Sequence, residues 1–124
     1  MGIPSGGNFF LFYMLVGAHC IGDFGLQSDW MATNKNRHVR DRYTNEERTK
    51  LQIIWPHLLF AHCMIHGFLV TLVTQNLWAG LAEIAVHAAT DFAKCEGWFG
   101  FHTDQAIHVA AKLVWVLAIS QGWF

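Results

Sequence analysis

The stretch LWAGLAEIAVHAATDFA, residues 77–93, carries three ionisable side chains one helical turn apart in an otherwise apolar sequence. Glu83, His87 and Asp91 follow one another at i, i+4 spacing, so they share one face of an α-helix, about 6 Å apart along its axis. Burying ionisable groups in an apolar helix costs free energy, and we therefore expect these groups to have a use. The stretch predicts a helix whose polar face is directed toward an interior.

The same turn spacing recurs in three other apolar segments. These segments cover about residues 9–29, 53–74 and 104–122, and each is close to the roughly 20 residues with which a helix crosses a bilayer. Together with residues 77–93 they predict a single all-α domain over residues 1–124, a four-helix bundle with a polar His/Asp interior. The ionisable pairs of these three segments are His19 and Asp23, His62 and His66, and Asp104 and His108.

Composition favours a membrane as the surroundings of this bundle. Hydrophobic residues make up 53% of the chain and charged residues 14%, against roughly 25% charged residues in soluble domains. Residues 9–16 and 113–119 are almost entirely apolar and leave no solvated helix face. We predict a transmembrane bundle, with a soluble bundle around a buried metal as the alternative. Several tryptophans near segment ends suit the membrane interface: Trp55, Trp78, Trp98 and Trp123.

The distribution of positive charge predicts the orientation of the helices. Six of the eight Lys and Arg residues lie between residues 35 and 50, so the basic loop 31–52 is predicted to be cytoplasmic. Both termini then lie outside the cell. In this arrangement the His and Asp side chains collect in the cytoplasmic half of the bundle, with Glu83 near mid-depth.

The residue types of the polar faces are those that hold metal ions. Imidazole and carboxylate together are typical ligands of zinc, manganese and iron, and the absence of Glu-x-x-His pairs favours zinc or manganese over a di-iron centre. Glu83 is interpreted as a ligand or a catalytic general base, and Asp104 as a ligand, a base or a partner that orients an imidazole. The predicted ligands, with at least one histidine from the second helix, are His19, Asp23, His62, His66, His87, Asp91 and His108.

Other interpretations of the polar faces remain open. The side chains could form a proton-sharing network that holds the helices together, or the histidines could bind haem or a pigment. Conduction of protons or metal ions is a weaker alternative, because the outer half of the bundle offers no polar groups to continue a path. A net charge of −1 argues against a nucleic-acid partner. The cysteines are interpreted as small buried residues: Cys20, Cys63 and Cys95.

Two segments, HCIGDFGLQ at 19–27 and DQAIH at 104–108, resemble motifs of a family of small bacterial and phage membrane proteins of unknown function. The resemblance spans about residues 15–110, with looser matches at 62–66 and 87–94, and it implies a multi-pass protein of the bacterial inner (plasma) membrane. The segment HAATD, residues 87–91, is also similar to one in membrane-bound metal-dependent hydrolases. That second resemblance implies metal-dependent hydrolysis.

Two functional hypotheses from different classes result. In the first, the protein is a metal-dependent hydrolase of a lipid-linked substrate, and the cation lowers the pKa of a bound water to near 7. In the second, it is a non-enzymatic subunit or accessory of a larger membrane assembly, and its apolar outer faces pack against membrane protein partners or a second copy of the chain. Both hypotheses place the protein in contact with the lipid bilayer.

Overall fold

The computed structural model describes residues 6–50 and 52–124, and their regular structure is all helical. A 3₁₀ turn, Arg37–Arg42, lies between the second and third α-helices, and a π-helical turn, Ile21–Gly25, directly follows the first. The α-helices in chain order are α1 (Gly7–Cys20), α2 (Asp29–Asn34), α3 (Asn45–Lys50), α4 (Trp55–Thr74), α5 (Leu77–Cys95) and α6 (Phe101–Ser120).

Local sequence explains where the long helices begin and end. Pro56 lies in the first turn of α4, where its missing N–H costs nothing. Gln75 ends α4 in the left-handed region, with φ 54°. The side chain of Asn76 then accepts a hydrogen bond from the backbone N–H of Ala79 at 3.1 Å and caps the start of α5. Two residues therefore reverse the chain between α4 and α5.

The four long helices pack in a ring, with α1 and α5 each lying against both α4 and α6. The tightest approach is between α4 and α5. A Cβ atom on Gly67 or on Gly80 would lie within 2.8 Å of the facing backbone carbonyl oxygen. Small residues at this crossing let the two backbones come close, as is common where helices pack in membranes.

The ring has an apolar end and a polar end. Leu11, Leu15, Val70 and Val116 pack together at the end that contains the start of α1 and the α4–α5 turn. The ionisable residues of the long helices fill the other end. The fold therefore places the polar faces of all four long helices at one level.

The segment 26–54, of which the structure describes residues 26–50 and 52–54, covers the polar end and is anchored to α5. Arg37 makes two hydrogen bonds to the Glu96 carboxylate, from Nε at 2.5 Å and from a terminal nitrogen at 2.8 Å. His38 Nε2 lies 3.1 Å from the same carboxylate. These hydrogen bonds, that of Arg37 foremost, lower the pKa of Glu96 to about 2.

The outward faces of the long helices carry large apolar side chains. Among the described residues one helix, Trp55–Thr74, is long and apolar enough to cross a membrane. α1 has 14 residues before its π-helical turn, and α5 carries Glu83, Asp91 and Lys94 on its inner side. The predicted multi-pass arrangement therefore stays a prediction. Of the three cysteines predicted to be buried, Cys63 is buried and Cys95 is half-buried. The prediction was wrong for Cys20, which is exposed because it follows His19 and points away from the interior.

Candidate metal centre

The structure brings the ionisable side chains of the four long helices together in one buried cluster. They come from the end of α1 and the π-helical turn, the first half of α4, the middle and end of α5, and the start of α6. Asp23 is the most exposed member, with 9% of its side chain accessible. The cluster contains all nine predicted site residues: His19, Asp23, His62, His66, Glu83, His87, Asp91, Asp104 and His108.

Four of these residues, Asp23, His62, His66 and His87, form what we call the primary site. Asp23 Oδ1 lies 2.9 Å from His66 Nε2, 3.2 Å from His62 Nε2 and 3.8 Å from His87 Nε2. The Nε2 atoms of His62 and His87 are 3.1 Å apart. Ligand atoms about 2.0–2.2 Å from a tetrahedral zinc ion lie about 3.3–3.6 Å from one another. The primary site therefore has the spacing of a ligand set and could hold one ion.

Hydrogen bonding accounts for only part of the primary site. Asp23 Oδ1 and His66 Nε2 face each other at 2.9 Å, yet neither atom has a partner in hydrogen-bond geometry. A buried polar atom left without a partner costs about 1–3 kcal/mol. A cation between the two atoms would satisfy both of them.

The π-helical turn positions Asp23 in this site. The Leu26 N–H donates to the Ile21 carbonyl at 2.8 Å, one residue further back than in an α-helix. Gly22 lies against the His66 ring, and a Cβ atom there would be 2.5 Å from it. Such turns inside helices are frequent at functional sites. Here the turn brings the backbone of α1 close enough for Asp23 to reach α4.

Glu83 lies behind His87 and orients it. Its Oε1 is 3.2 Å from His87 Nδ1, which directs His87 Nε2 into the primary site. The same oxygen accepts a hydrogen bond from Lys112 Nζ at 2.5 Å, and Oε2 accepts one from Trp115 Nε1 at 2.6 Å. Both oxygens are thus engaged. The role of Glu83 as a general base stays a prediction, and the geometry is that of a positioning residue.

The remaining predicted residues lie beside the primary site. His108 Nε2 is 3.1 Å from Asp91 Oδ1 and 3.4 Å from Asp104 Oδ1. His19 Nε2 is 3.0 Å from Gln105 Oε1. Gln105 also donates from Nε2 to Asp23 Oδ2 at 2.8 Å, so its amide connects α1 to α6. Two further groups of ligand atoms gather here: His19, His87 and His108, and Asp23, Asp104 and His108.

Two buried lysines belong to the cluster and were missed by sequence reasoning. Lys112 pairs with Glu83, and Lys35 reaches in from the end of α2 to pair with Asp91. Lys112 lies one turn beyond His108 on an apolar helix, and that spacing could have identified it. No spacing signals Lys35, because its partner is 56 residues away.

Charge at the polar end favours a cation. Four carboxylates gather there; the two buried lysines pair with two of them, and Lys94 lies 3.5 Å from a third, Asp104. Among the described residues Asp23 pairs with no lysine or arginine, and a buried carboxylate without a cationic partner is costly. A divalent cation would balance this charge, and the nearby imidazoles and carboxylates are suitable ligands for it.

Fold and cluster together define an all-helical protein with buried His/Asp groups geometrically able to bind a metal ion. Residues 10–122 match the family described as protein of unknown function (DUF3307). The chain belongs to this family. No curated protein and no solved structure matches the chain. The predicted relationship to a domain of unknown function is therefore confirmed, and the predicted membrane nature and hydrolase similarity stay predictions.

Proposed function

We propose that this protein is a membrane-embedded metal-binding protein whose primary site holds a divalent cation, zinc or manganese. One observation carries the proposal. Asp23 Oδ1 faces the Nε2 atoms of His62, His66 and His87 within 3.8 Å and forms no hydrogen bond with any of them. Three imidazoles and one carboxylate around one point are a common ligand set for these ions.

Exposed apolar side chains support placement in a bilayer. α1 exposes Phe9 and Tyr13, α4 exposes Phe60 and Phe68, and α6 exposes Leu113 together with its neighbours. Such a large apolar surface on several helices marks contact with lipid or with other helices. The interior is polar at one end, which is the reverse of a soluble amphipathic bundle. A multi-pass arrangement, with segment 26–54 on the cytoplasmic side, is part of the proposal.

A hydrolytic reaction on a lipid-linked substrate is the activity that we propose for this centre. The cation would lower the pKa of a bound water to near 7. Asp104 has one buried oxygen, Oδ1, without a hydrogen-bond partner, whereas both oxygens of Glu83 are engaged. Of the two predicted bases, Asp104 is therefore the one free to accept a proton or a cation.

An apolar groove on the surface between α1 and α4 suits the lipid part of such a substrate. Met14 and Ile21 line it on one side, and Leu69 and Leu72 line it on the other. Ile21 begins the π-helical turn that carries Asp23. An acyl chain in the groove would therefore bring its polar end near the metal centre.

The alternative of a haem or pigment is disfavoured by the packing of the imidazoles. The rings of His66 and His87 stack with centroids 3.7 Å apart, and those of His87 and His108 with centroids 4.1 Å apart. A macrocycle would have to separate these rings. A non-enzymatic role within a membrane assembly stays open, because the exposed apolar faces suit it equally well.

Metal analysis of the purified full-length protein tests the proposal. We expect at least one equivalent of zinc or manganese per chain after purification in mild detergent without chelator, and we expect His66→Ala to lose it. His57→Ala is the matched control, since His57 lies on the same helix but is exposed. Substoichiometric metal in the wild type that added Zn²⁺ or Mn²⁺ does not restore would refute the proposal. A visible absorption band on purification would instead indicate a pigment.

A further inference from the structure

We propose that the cluster holds a second divalent cation, bound by Asp104 and His108 and bridged to the first by the Asp23 carboxylate. This inference rests on the proposed function and deepens it from one metal ion to two. In two-metal sites the ions lie about 3.5–4 Å apart and commonly act together on one substrate group. Each of the three ligands offers an atom within 4.8 Å of the other two.

The two oxygens of Asp23 face different neighbours. Oδ1 is directed to His62 and His66 of the primary site, at 3.2 and 2.9 Å. Oδ2 lies 3.3 Å from His19 Nε2 and accepts a hydrogen bond from Gln105 Nε2 at 2.8 Å. Gln105 Nε2 also donates to Asp104 Oδ2 at 3.2 Å, so the Asp23 carboxylate lies between the primary site and Asp104, where it is placed to bridge two cations.

Asp104 supplies the second, independent observation. Its side chain is 1% exposed, and Oδ1 lies 3.4 Å from His108 Nε2 without a hydrogen-bond partner. The Oδ2 atom accepts from Gln105 Nε2 at 3.2 Å and faces Lys94 Nζ at 3.5 Å. One oxygen is therefore held in place while the other stays free beside an imidazole nitrogen. The arrangement is that of a ligand held in orientation by its neighbours.

Charge predicts the order in which the two cations bind. The first cation balances the carboxylate that has no lysine partner, Asp23, and a second one adds further positive charge to the centre. The second cation should therefore bind more weakly. An anion that contacts both ions would strengthen its binding, and a phosphate group has the charge and the oxygens to do so. Inorganic phosphate is the simplest probe of this effect.

Titration of the metal-stripped, full-length protein with Mn²⁺ in detergent tests the inference. We expect two equivalents per chain, the second weaker and shifted to lower Mn²⁺ concentration by inorganic phosphate. Electron paramagnetic resonance of the fully loaded wild type should show the exchange coupling of two Mn²⁺ ions a few ångströms apart. One equivalent without coupling would overturn the second cation and leave the proposed function standing. No bound Mn²⁺ or Zn²⁺ at all would overturn both.

Variants assign the two equivalents to residues. Asp104→Asn should lose the second equivalent and the spin coupling but keep the first, because it leaves the primary site intact. His102→Ala, an exposed histidine of the same helix, is the matched control and should keep both. Retention of two coupled ions in Asp104→Asn would contradict the assignment. Helical circular dichroism checks that each variant folds, and the wild-type resonance spectrum does not depend on any variant.

Discussion

The two ends of the helical ring bury side chains of opposite character. At the apolar end, Leu11, Leu15 and Val70 fill the space between helices without needing a particular partner. At the polar end, every buried charge needs a compensating group, and Lys112 and Lys35 supply two of these. Apolar packing is tolerant and spread over many contacts. A buried charge requires a particular partner, and removing that partner strongly destabilises the fold.

This contrast shows what each end contributes. The apolar end holds the helices together by close packing, which in a membrane replaces the hydrophobic effect between helices. At the polar end, burying imidazoles and carboxylates close together costs stability, and the packing of the apolar end offsets this cost. A ring apolar throughout would fold as well or better. The polar end therefore needs another explanation, and the cation that we propose supplies one.

The largest effect that we expect comes from breaking a buried pair at the polar end. Lys112→Met keeps the length of the side chain but removes the ammonium group that pairs with the Glu83 carboxylate. We expect a loss of about 3–5 kcal/mol in the free energy of unfolding. Reversible denaturation of the full-length protein in mixed micelles measures it.

Two further variants separate charge from packing in that experiment. Lys112→Met combined with Glu83→Gln should recover much of the loss, because no uncompensated charge remains. Lys94→Met removes a lysine that is 32% exposed and lies 3.5 Å from Asp104, and it should cost at most about 1 kcal/mol. A Lys112→Met protein within about 0.5 kcal/mol of the wild type would show that the pair carries no stability.

A change at the apolar end should lower the free energy of unfolding and leave the metal content per chain unchanged. Leu15 is fully buried in that cluster, and Leu15→Ala should cost about 2–5 kcal/mol through the cavity that it leaves. Metal content per folded chain should stay at the wild-type value, measured by elemental analysis beside the unfolding curve. Loss of metal in this variant would mean that the two ends are coupled. The exposed Leu113, changed to Ala, is the matched control.

The sequence predicted the polar faces because helical spacing is a local property. The ionisable residues at 62 and 66, at 83, 87 and 91, and at 104 and 108 follow the period of an α-helix, and they do share an interior. The i, i+4 spacing of Asp104 and His108 continues to Lys112, so the same spacing could have predicted that Lys112 faces the interior.

What the sequence did not predict depends on distant contacts or on irregular backbone. The π-helical turn at Ile21–Gly25 has no spacing signal, yet it decides which oxygen of Asp23 faces α4. Lys35 was interpreted as part of a basic loop that sets topology, and its burial depends on Asp91 in another helix. Within residues 6–50 and 52–124, hydropathy identifies only α4 as a span, because α1 is short and the inward charges of α5 and α6 lower their mean hydropathy.

The smallest effect that we expect comes from the exposed anchor of segment 26–54, outside both ends of the ring. Hydrogen bonds from Arg37 lower the pKa of Glu96 to about 2, from an ordinary value of 4.5. Its contribution to stability is therefore present above pH 4.5 and is lost as the pH falls toward about 2. The Glu96 carboxylate, followed by Asp41, raises the pKa of His38 above 6.5. The contribution of His38 is therefore present below pH 6.5 and is lost as the pH rises through that raised value.

Glu96→Gln should flatten both dependences, because it removes the charge that shifts both groups. Thermal unfolding of metal-free wild type and variant, followed from pH 2 to pH 9, measures the difference and avoids the protonation of metal-bound histidines. Glu46→Gln is the matched control, since Glu46 pairs with Lys50 at the surface and lies outside the anchor. Equal pH slopes in wild type and Glu96→Gln would show that the anchor adds nothing. Stability would then come from the two ends of the ring alone, because an exposed ion pair competes with water on equal terms.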